Sequence, residues 1–362
     1  MNRTPSFIIM AGGTGGHVFP ALAVADVLRA KGHPVTWIGT RQGLEARVVP
    51  AAGIPMEWID VGGVRGKGAA TLLKAPFVLS RALLQAMAIF RRLQPAAALG
   101  MGGFASGPGG LAARLTGCPL VLHEQNAVPG FTNRALSHVT KNVLEGFPGA
   151  FAPSRHAEHV GNPVRDAIAA LPPPEQRFAK RKGRKHLLVI GGSQGAKPLN
   201  ESLPAAIAQL SAKLRPEVLH QTGARDAESV QARYQELGVE ARVASFIEDM
   251  AAAYAWADLA VCRSGALTIA ELAATGLASL LVPFAAAVDD HQTKNAAYLV
   301  DEGAARLVAQ KDATPAALAV QLQELLGDRD LLLEMAKHAR SAARTDAAKK
   351  VAQRCLAAGG LS

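Results

Sequence analysis

Three stretches of the 362-residue chain put bare backbone directly behind a short apolar run: AGGTGGH (11–17), GMGGFASGPGG (100–110) and GGSQGAK (191–197). Glycine lets main chain approach a ligand closely and tolerates positive φ. A helix starting at such a loop offers unpaired N–H groups and a positive dipole end to phosphate. One loop of this kind is equally a tight strand-to-helix turn, but three in one chain favour anion binding. His17 stands at the mouth of the first loop. An imidazole there suits a general base, or a group that hydrogen-bonds a substrate. Glu124 and Asn126, in HEQNAVPG, are rivals for orienting an acceptor, and Glu124 has a second reading as a partner of nearby backbone.

A fourth stretch, CRSGALTIAELAATGLASLLVPFAAAVDDHQTKNA (262–296), is the most informative. A strand ends at Cys262, Ser264 and Gly265 turn the chain, and a helix begins near Ala266. Its first-turn amides suit a diphosphate. Glu271 follows within two turns and could accept hydrogen bonds from two ribose hydroxyls. Asp290, His291, Gln292 and Asn295 then supply polar groups for sugar hydroxyls.

The common nucleotide signatures are not met. A dinucleotide fingerprint requires G-x-G-x-x-G and an acidic residue after the second strand. Here Gly13 and Gly15 are followed by Val18, and VTWIGT ends without a carboxylate. A phosphate loop requires Gly-Lys-Ser/Thr, whereas GGSQGAKP places Ala196 before the lysine and Pro198 after it. The one D-x-D, Asp328 to Asp330, reads as a helix start or turn, and no metal site is expected.

The elements that must hold these loops are short continuous apolar strands alternating with helices. FIIM, PVTWIG, PLVLHEQ, HLLVI, EVLHQTG, ARVASF, LAVCRSG and ASLLVPF read as strands. Such strands predict parallel sheets covered on both faces, and right-handed crossovers make them doubly wound. HLLVIGGSQGAKPLNESLPAAIAQL repeats the layout of the opening: strand, glycine turn, amphipathic helix. The intervening LPPPEQRFAKRKGRK (171–185) reads as an exposed linker. The expectation is an α/β protein of two domains.

Composition fits that expectation. Hydrophobic residues make up 49% and charged residues 19%, values of a packed globular chain. A net charge of +10 points to anionic partners, but no aromatic-interleaved basic motif marks a nucleic-acid module. The three cysteines, Cys118, Cys262 and Cys355, are far apart, which fits a reducing compartment. No signal peptide or spanning helix is read. The stretch LLKAPFVLSRALLQAMAIFRRL (72–93) mixes apolar residues with Lys74, Arg81, Arg91 and Arg92. It suits an interfacial surface on anionic lipid, or an ordinary core-facing helix with basic flanks.

GGTGGHVFPALA, GGFASGPGG, HEQNAVPG, VGNPVR, GGSQGA and CRSGALTIAEL together resemble the signature blocks of the MurG family, in order and over nearly the whole chain. These are bacterial UDP-N-acetylglucosamine transferases that complete the peptidoglycan precursor lipid II. The resemblance implies a GT-B fold, two Rossmann-like doubly wound domains facing one cleft. The expected domains are 1–165, binding acceptor and membrane, and 166–341, binding the donor, with a last helix at about 342–358 packing back on the first. It implies inverting transfer of GlcNAc from UDP-GlcNAc to the 4-hydroxyl of the muramoyl sugar of lipid I, without a cofactor. By matching motif positions, the implied binding residues are Thr14, Gly15, Gly16, Asn126, Arg165, Ser193, Ile247 through its backbone, Ala266, Leu267, Thr268, Ile269, Ala270, Glu271 and Gln292. Implied partners are UDP-GlcNAc, lipid I, an anionic membrane surface and other cell-wall synthesis proteins, at the cytoplasmic face of the inner membrane. The segment AAAVDDHQ departs from the family pattern, which leaves the contacts of residues 285–289 open. Two other readings stand beside this one: a UDP-GlcNAc epimerase on the same fold, and a UDP-sugar-binding regulator.

Overall fold

The computed structural model describes residues 4–62, 69–192 and 195–361, with residues 69–74 and 288 described by their backbone alone. The chain divides into two compact units, Met1–Arg165 with Thr345–Ser362, and Asp166–Arg344.

The first unit is built on strands β1 (Phe7–Met10), β2 (Val35–Gly39), β3 (Met56–Trp58), β4 (Ala97–Gly100), β5 (Leu120–Glu124), β6 (Asn142–Glu145) and β7 (Glu158–His159). They form a parallel sheet in the order β3-β2-β1-β4-β5-β6-β7. Its helices are α1 (Gly15–Ala30), α2 (Glu45–Ala51), α3 (Ala69–Leu93), α4 (Ser106–Leu115) and α5 (Phe131–Leu136).

The second unit has helices α6 (Asp166–Ala169), α7 (Pro174–Phe178), α8 (Lys197–Ala208), α9 (Ala227–Glu236), α10 (Met250–Trp256), α11 (Ala266–Thr275), α12 (His291–Val300), α13 (Pro315–Gly327) and α14 (Arg329–Ser341). Its strands are β8 (His186–Ile190), β9 (Glu217–Gln221), β10 (Ala241–Ala244), β11 (Leu259–Cys262), β12 (Ala278–Leu281) and β13 (Ala305–Leu307). The order β10-β9-β8-β11-β12-β13 repeats the first sheet's opening six strands. The last helix, α15 (Ala347–Ala358), belongs to the first unit. Its Val351, Ala352, Cys355 and Leu356 share one core with Phe7, Ile9 and Trp37.

Both sheets therefore follow the doubly wound order, in which winding reverses beside the first strand. Crossovers leave β1 and β4 toward opposite faces, so the loops after them part and leave a crevice at the strand ends. The same holds for β8 and β11. The four stretches singled out by their glycines are the four loops at these two switch points.

Two sequence expectations change. Only 101–105 of the second glycine stretch is loop; Gly107, Gly109 and Gly110 lie in α4. A Cβ on Gly109 would overlap Met10 Sδ, and one on Gly110 would lie 2.6 Å from Leu136 Cδ1. These two glycines serve close packing of α4 on β1 and α5. Residues 171–185 are also more than a solvated linker. Pro174 and Phe178 are buried. Arg177 donates to the carbonyls of Tyr254, Thr275 and Gly276, capping the C-terminal end of α11. Arg181 pairs with the buried Asp258. A basic run is exposed by default, but carbonyls left over at a helix end recruit such cations.

Candidate functional site

The loop after β1 is held from several sides. Trp37, fully buried on β2, donates its indole N–H to Ala11 O at 2.9 Å. Gly13 has φ +90°, a region that β-carbon-bearing residues rarely occupy. Its N–H donates to Glu45 Oε2 at 3.0 Å. Thr14, the N-cap of α1, makes no side-chain capping bond.

His17 Nδ1 lies 3.2 Å from Gly12 O. A carbonyl only accepts, so Nδ1 carries the proton in this contact, and Nε2 keeps the basic lone pair. Nε2 borders the β4 loop: a Cβ on Gly102 would stand 3.1 Å from it and 3.7 Å from Asn133 Nδ2. His17, Gly102 and Asn133 thus meet at the switch point of the first sheet. Ser106 fastens the two loops together, its hydroxyl lying 2.7 Å from both Met10 O and Gly102 O.

Glu124, at the end of β5, is buried. Oε1 accepts from Asn126 N at 2.9 Å and Asn126 Nδ2 at 3.2 Å. Oε2 accepts from Gly130 N at 3.1 Å and Asn133 Nδ2 at 3.0 Å. Both oxygens of this carboxylate are thus engaged, by four N–H donors. Asn126 is consequently oriented by Glu124. Asn133 was not singled out from sequence, and only its placement on α5 opposite β5 reveals it. Arg165 has its guanidinium 5.8 Å from the Phe19 ring of α1, beside the same first-unit helix that carries His17. Thr14, Gly15 and Gly16 form the start of that helix.

In the second unit, Ser193 lies outside the described residues. Gly195 tucks beneath β9, where a Cβ would overlap Thr222 O. Ile247 sits half-buried between β10 and α10. Residues Ala266 to Ala270 form the first turns of α11, whose N-cap is Gly265 with no side chain to cap it. The amides of Ala266, Leu267 and Thr268 have no partner within the helix, as at any helix start.

Glu271 follows on the second turn of α11. It is 5% exposed, and Tyr254 Oη donates to its Oε2 at 2.9 Å. Asn295 is fully buried and donates to Ser264 O at 3.1 Å, so it braces the β11 loop rather than waiting for a sugar. Ser264 Oγ donates to Gln292 O at 2.8 Å. Gln292 Oε1 accepts from Phe284 N at 2.9 Å, which leaves its Nε2 for other work. Arg263, another residue missed in the sequence, donates to the carbonyls of Val282 and Pro283 and lies over Phe284. The sequence places it next to the turn, but only the fold shows that its charge is fixed there. Asp328 caps α14 by accepting from Asp330 N and Leu331 N, the helix start read from the sequence.

Two doubly wound units with glycine loops at their switch points are the layout of the GT-B fold, and the matched families make the chain a glycosyltransferase. Residues 7–145 match the glycosyltransferase family 28 N-terminal domain, and residues 186–351 match the family 28 C-terminal domain. A curated UDP-N-acetylglucosamine--N-acetylmuramyl-(pentapeptide) pyrophosphoryl-undecaprenol N-acetylglucosamine transferase from Nitrosococcus oceani is 56% identical over 349 residues, 96% of this chain and 97% of that one. The crystal structure of Acinetobacter baumannii MurG superposes with a TM-score of 0.85 at 42% identity, covering 98% of this chain and 99% of that one. The chain belongs to the MurG family of N-acetylglucosamine transferases. A UDP-GlcNAc 2-epimerase from Neisseria meningitidis shares the fold alone, at 13% identity and a TM-score of 0.66 over 98% of this chain and all of that one.

Proposed function

We propose that the protein moves N-acetylglucosamine from UDP-N-acetylglucosamine to the 4-hydroxyl of the muramoyl sugar of lipid I, with inversion, giving lipid II. The observation that carries this reading is 56% sequence identity to an N-acetylglucosamine transferase along nearly the whole chain, which also has glycine loops at the switch points of both sheets. The epimerase reading rests on a likeness of fold alone.

In this reading His17 Nε2 takes the proton of the acceptor hydroxyl. The oxygen attacks the anomeric carbon, the bond from that carbon to the diphosphate breaks, and UDP leaves as an anion. The amides at the start of α11 stabilise that anion. Thr14, Gly15, Gly16, Asn126, Arg165, Ser193, the Ile247 backbone, Ala266 to Glu271 and Gln292 bind substrate. Glu124 orients Asn126 and Asn133.

The acceptor's polyprenyl tail requires a membrane, and we assign its approach to α3. Phe77, Leu79 and Leu84 are 75%, 44% and 65% exposed, while Ala82, Ala86, Ile89 and Phe90 form the core face. The helix thus has one core-facing side, and the exposed side supports the interfacial reading. Arg81 and Arg92 pair with Asp60 and Glu57, and Arg91 is exposed. Leu72, Leu73 and Lys74 lie outside the described side chains. Leu111 and Leu115 of α4, which packs on α3, add exposed apolar area. Among the described residues no helix is long and apolar enough to cross a membrane. Peripheral attachment at the cytoplasmic face fits a nucleotide-sugar donor.

Chromatography of UDP-GlcNAc incubated with the protein and a lipid I analogue tests the reaction. UDP release that depends on acceptor is expected. Epimerised sugar nucleotide without acceptor, or no turnover at all, would refute it.

A further inference from the structure

Glu45, the first residue of α2, is fully buried, yet no motif of the sequence drew attention to it. Its Oε2 accepts from Gly13 N at 3.0 Å, and its Oε1 from Thr40 N at 3.0 Å and Thr40 Oγ1 at 2.8 Å. The chain leaves room for this carboxylate on three sides. A Cβ on Gly12 would lie 2.7 Å from Oε1, one on Gly39 2.8 Å from Cγ, and one on Gly43 would overlap Oε2. Burying a carboxylate is costly unless its oxygens are hydrogen-bonded, and here both are. The start of α2 adds a favourable dipole.

What the carboxylate holds is the loop from which His17 hangs. Gly13 cannot move without breaking the bond to Oε2, and the neighbouring Gly12 carbonyl is the partner of His17 Nδ1. That carbonyl also touches the β4 loop, since a Cβ on Gly103 would overlap Gly12 O. We infer that Glu45 is a positioning residue for transfer: it fixes the Gly12–Gly13 backbone, and through it the tautomer and direction of the His17 imidazole. The inference rests on the reading of His17 as the base. Glu45 touches no substrate in this account.

Glu45→Gln keeps the size of the side chain but turns an NH2 toward one of three donors. A displacement of about 1 Å at a reacting group costs up to about 10²-fold, so kcat is expected to fall about 10–100-fold, with KM for UDP-GlcNAc changed less than about threefold. A residue acting through His17 loses its effect once His17 is gone. In a His17→Ala background the same substitution should alter kcat by less than about twofold. An undiminished loss in that background, or a raised donor KM with kcat intact, would overturn the inference. If Glu45→Gln shows no cooperative urea transition, Thr40→Val carries the same test. It removes one donor and leaves the carboxylate, and its kcat loss should likewise vanish in the His17→Ala background; persistence there overturns the inference. His17→Ala alone separates the two readings. If it leaves kcat unchanged, the base assignment fails; if it lowers kcat while Glu45→Gln does nothing, only the positioning inference fails.

Discussion

At the scale of single residues, the site is a division between groups already engaged and groups left over. His17 has one nitrogen engaged and one available. His17→Ala is therefore expected to lower kcat by about 10²–10⁴-fold, the contribution of a general base. Affinity for UDP-GlcNAc measured by calorimetry should stay within a few-fold, because α11 and its amides are untouched. A collapse of donor affinity with turnover preserved at saturation would make His17 a binding residue. Glu271 is the counterpart in the second unit. Its direction is set by Tyr254 Oη, so Tyr254→Phe should weaken donor binding by about 1 kcal/mol, the net worth of one hydrogen bond. Glu271→Ala should cost about 1–3 kcal/mol, since hydrogen bonds to a charged group are stronger. Calorimetric titration with UDP-GlcNAc that ranks the two variants the other way would show that the carboxylate does not face the ribose.

At the scale of elements, each sheet carries a buried histidine on a strand whose end borders the site. His123 of β5 donates its Nε2–H to Gly161 O at 2.9 Å, since a carbonyl only accepts. His220 of β9 meets Tyr234 Oη and Asn200 Oδ1 at 3.0 and 3.1 Å. Burial drives both imidazoles down, His123 to about 4 and His220 to about 3. The folded chain thus binds fewer protons than the unfolded chain below the ordinary histidine pKa. Stability is full above about pH 6.5 and is lost as pH falls toward 4. Between pH 7 and pH 5 each histidine should remove about 2 kcal/mol from its unit. Urea midpoints across that range should fall, and His220→Gln should flatten the decline. An unchanged slope in the variant would place the proton uptake elsewhere. The same network steadies the site, because Asn200 of α8 also donates to Thr222 O at 3.1 Å, beneath Gly195.

For the whole molecule, the exposed apolar face of α3 and the net charge of +10 bear on where the enzyme works. The purified protein is expected to bind vesicles containing anionic lipid, and to bind them less at high salt, since surface charges are screened within a Debye length of roughly 10 Å at 0.1 M. Phe77→Asp with Leu84→Asp should abolish most of that binding in a flotation assay, because each places charge where an apolar side chain would enter the headgroup layer. Turnover of a short-chain, water-soluble acceptor should be retained. Equal flotation of wild type and variant would show that another face meets the lipid.

The sequence by itself determined the alternation of strand and helix, the two repeated halves and the glycine loops, because these are local. Apolar runs of four or five residues and the turns after them read out neighbour by neighbour. The handedness of parallel crossovers made the sheets doubly wound, but the order of their strands came from the structure. Shorter strands such as β7 and β13 carry too few residues to show a period. Family membership was legible for a related reason, since its blocks are contiguous. What only the tertiary structure decided was which polar groups are occupied. Glu45 reaches Gly13 across 32 positions, Tyr254 reaches Glu271 across 17, and Arg177 reaches Thr275 across 98. Glu124, Asn295 and Arg181 look equally available in the sequence, yet each is committed to backbone or to a buried partner. Hydrogen-bonding capacity belongs to a residue type, but whether it is already satisfied depends on side chains brought alongside by packing, and no local pattern records that.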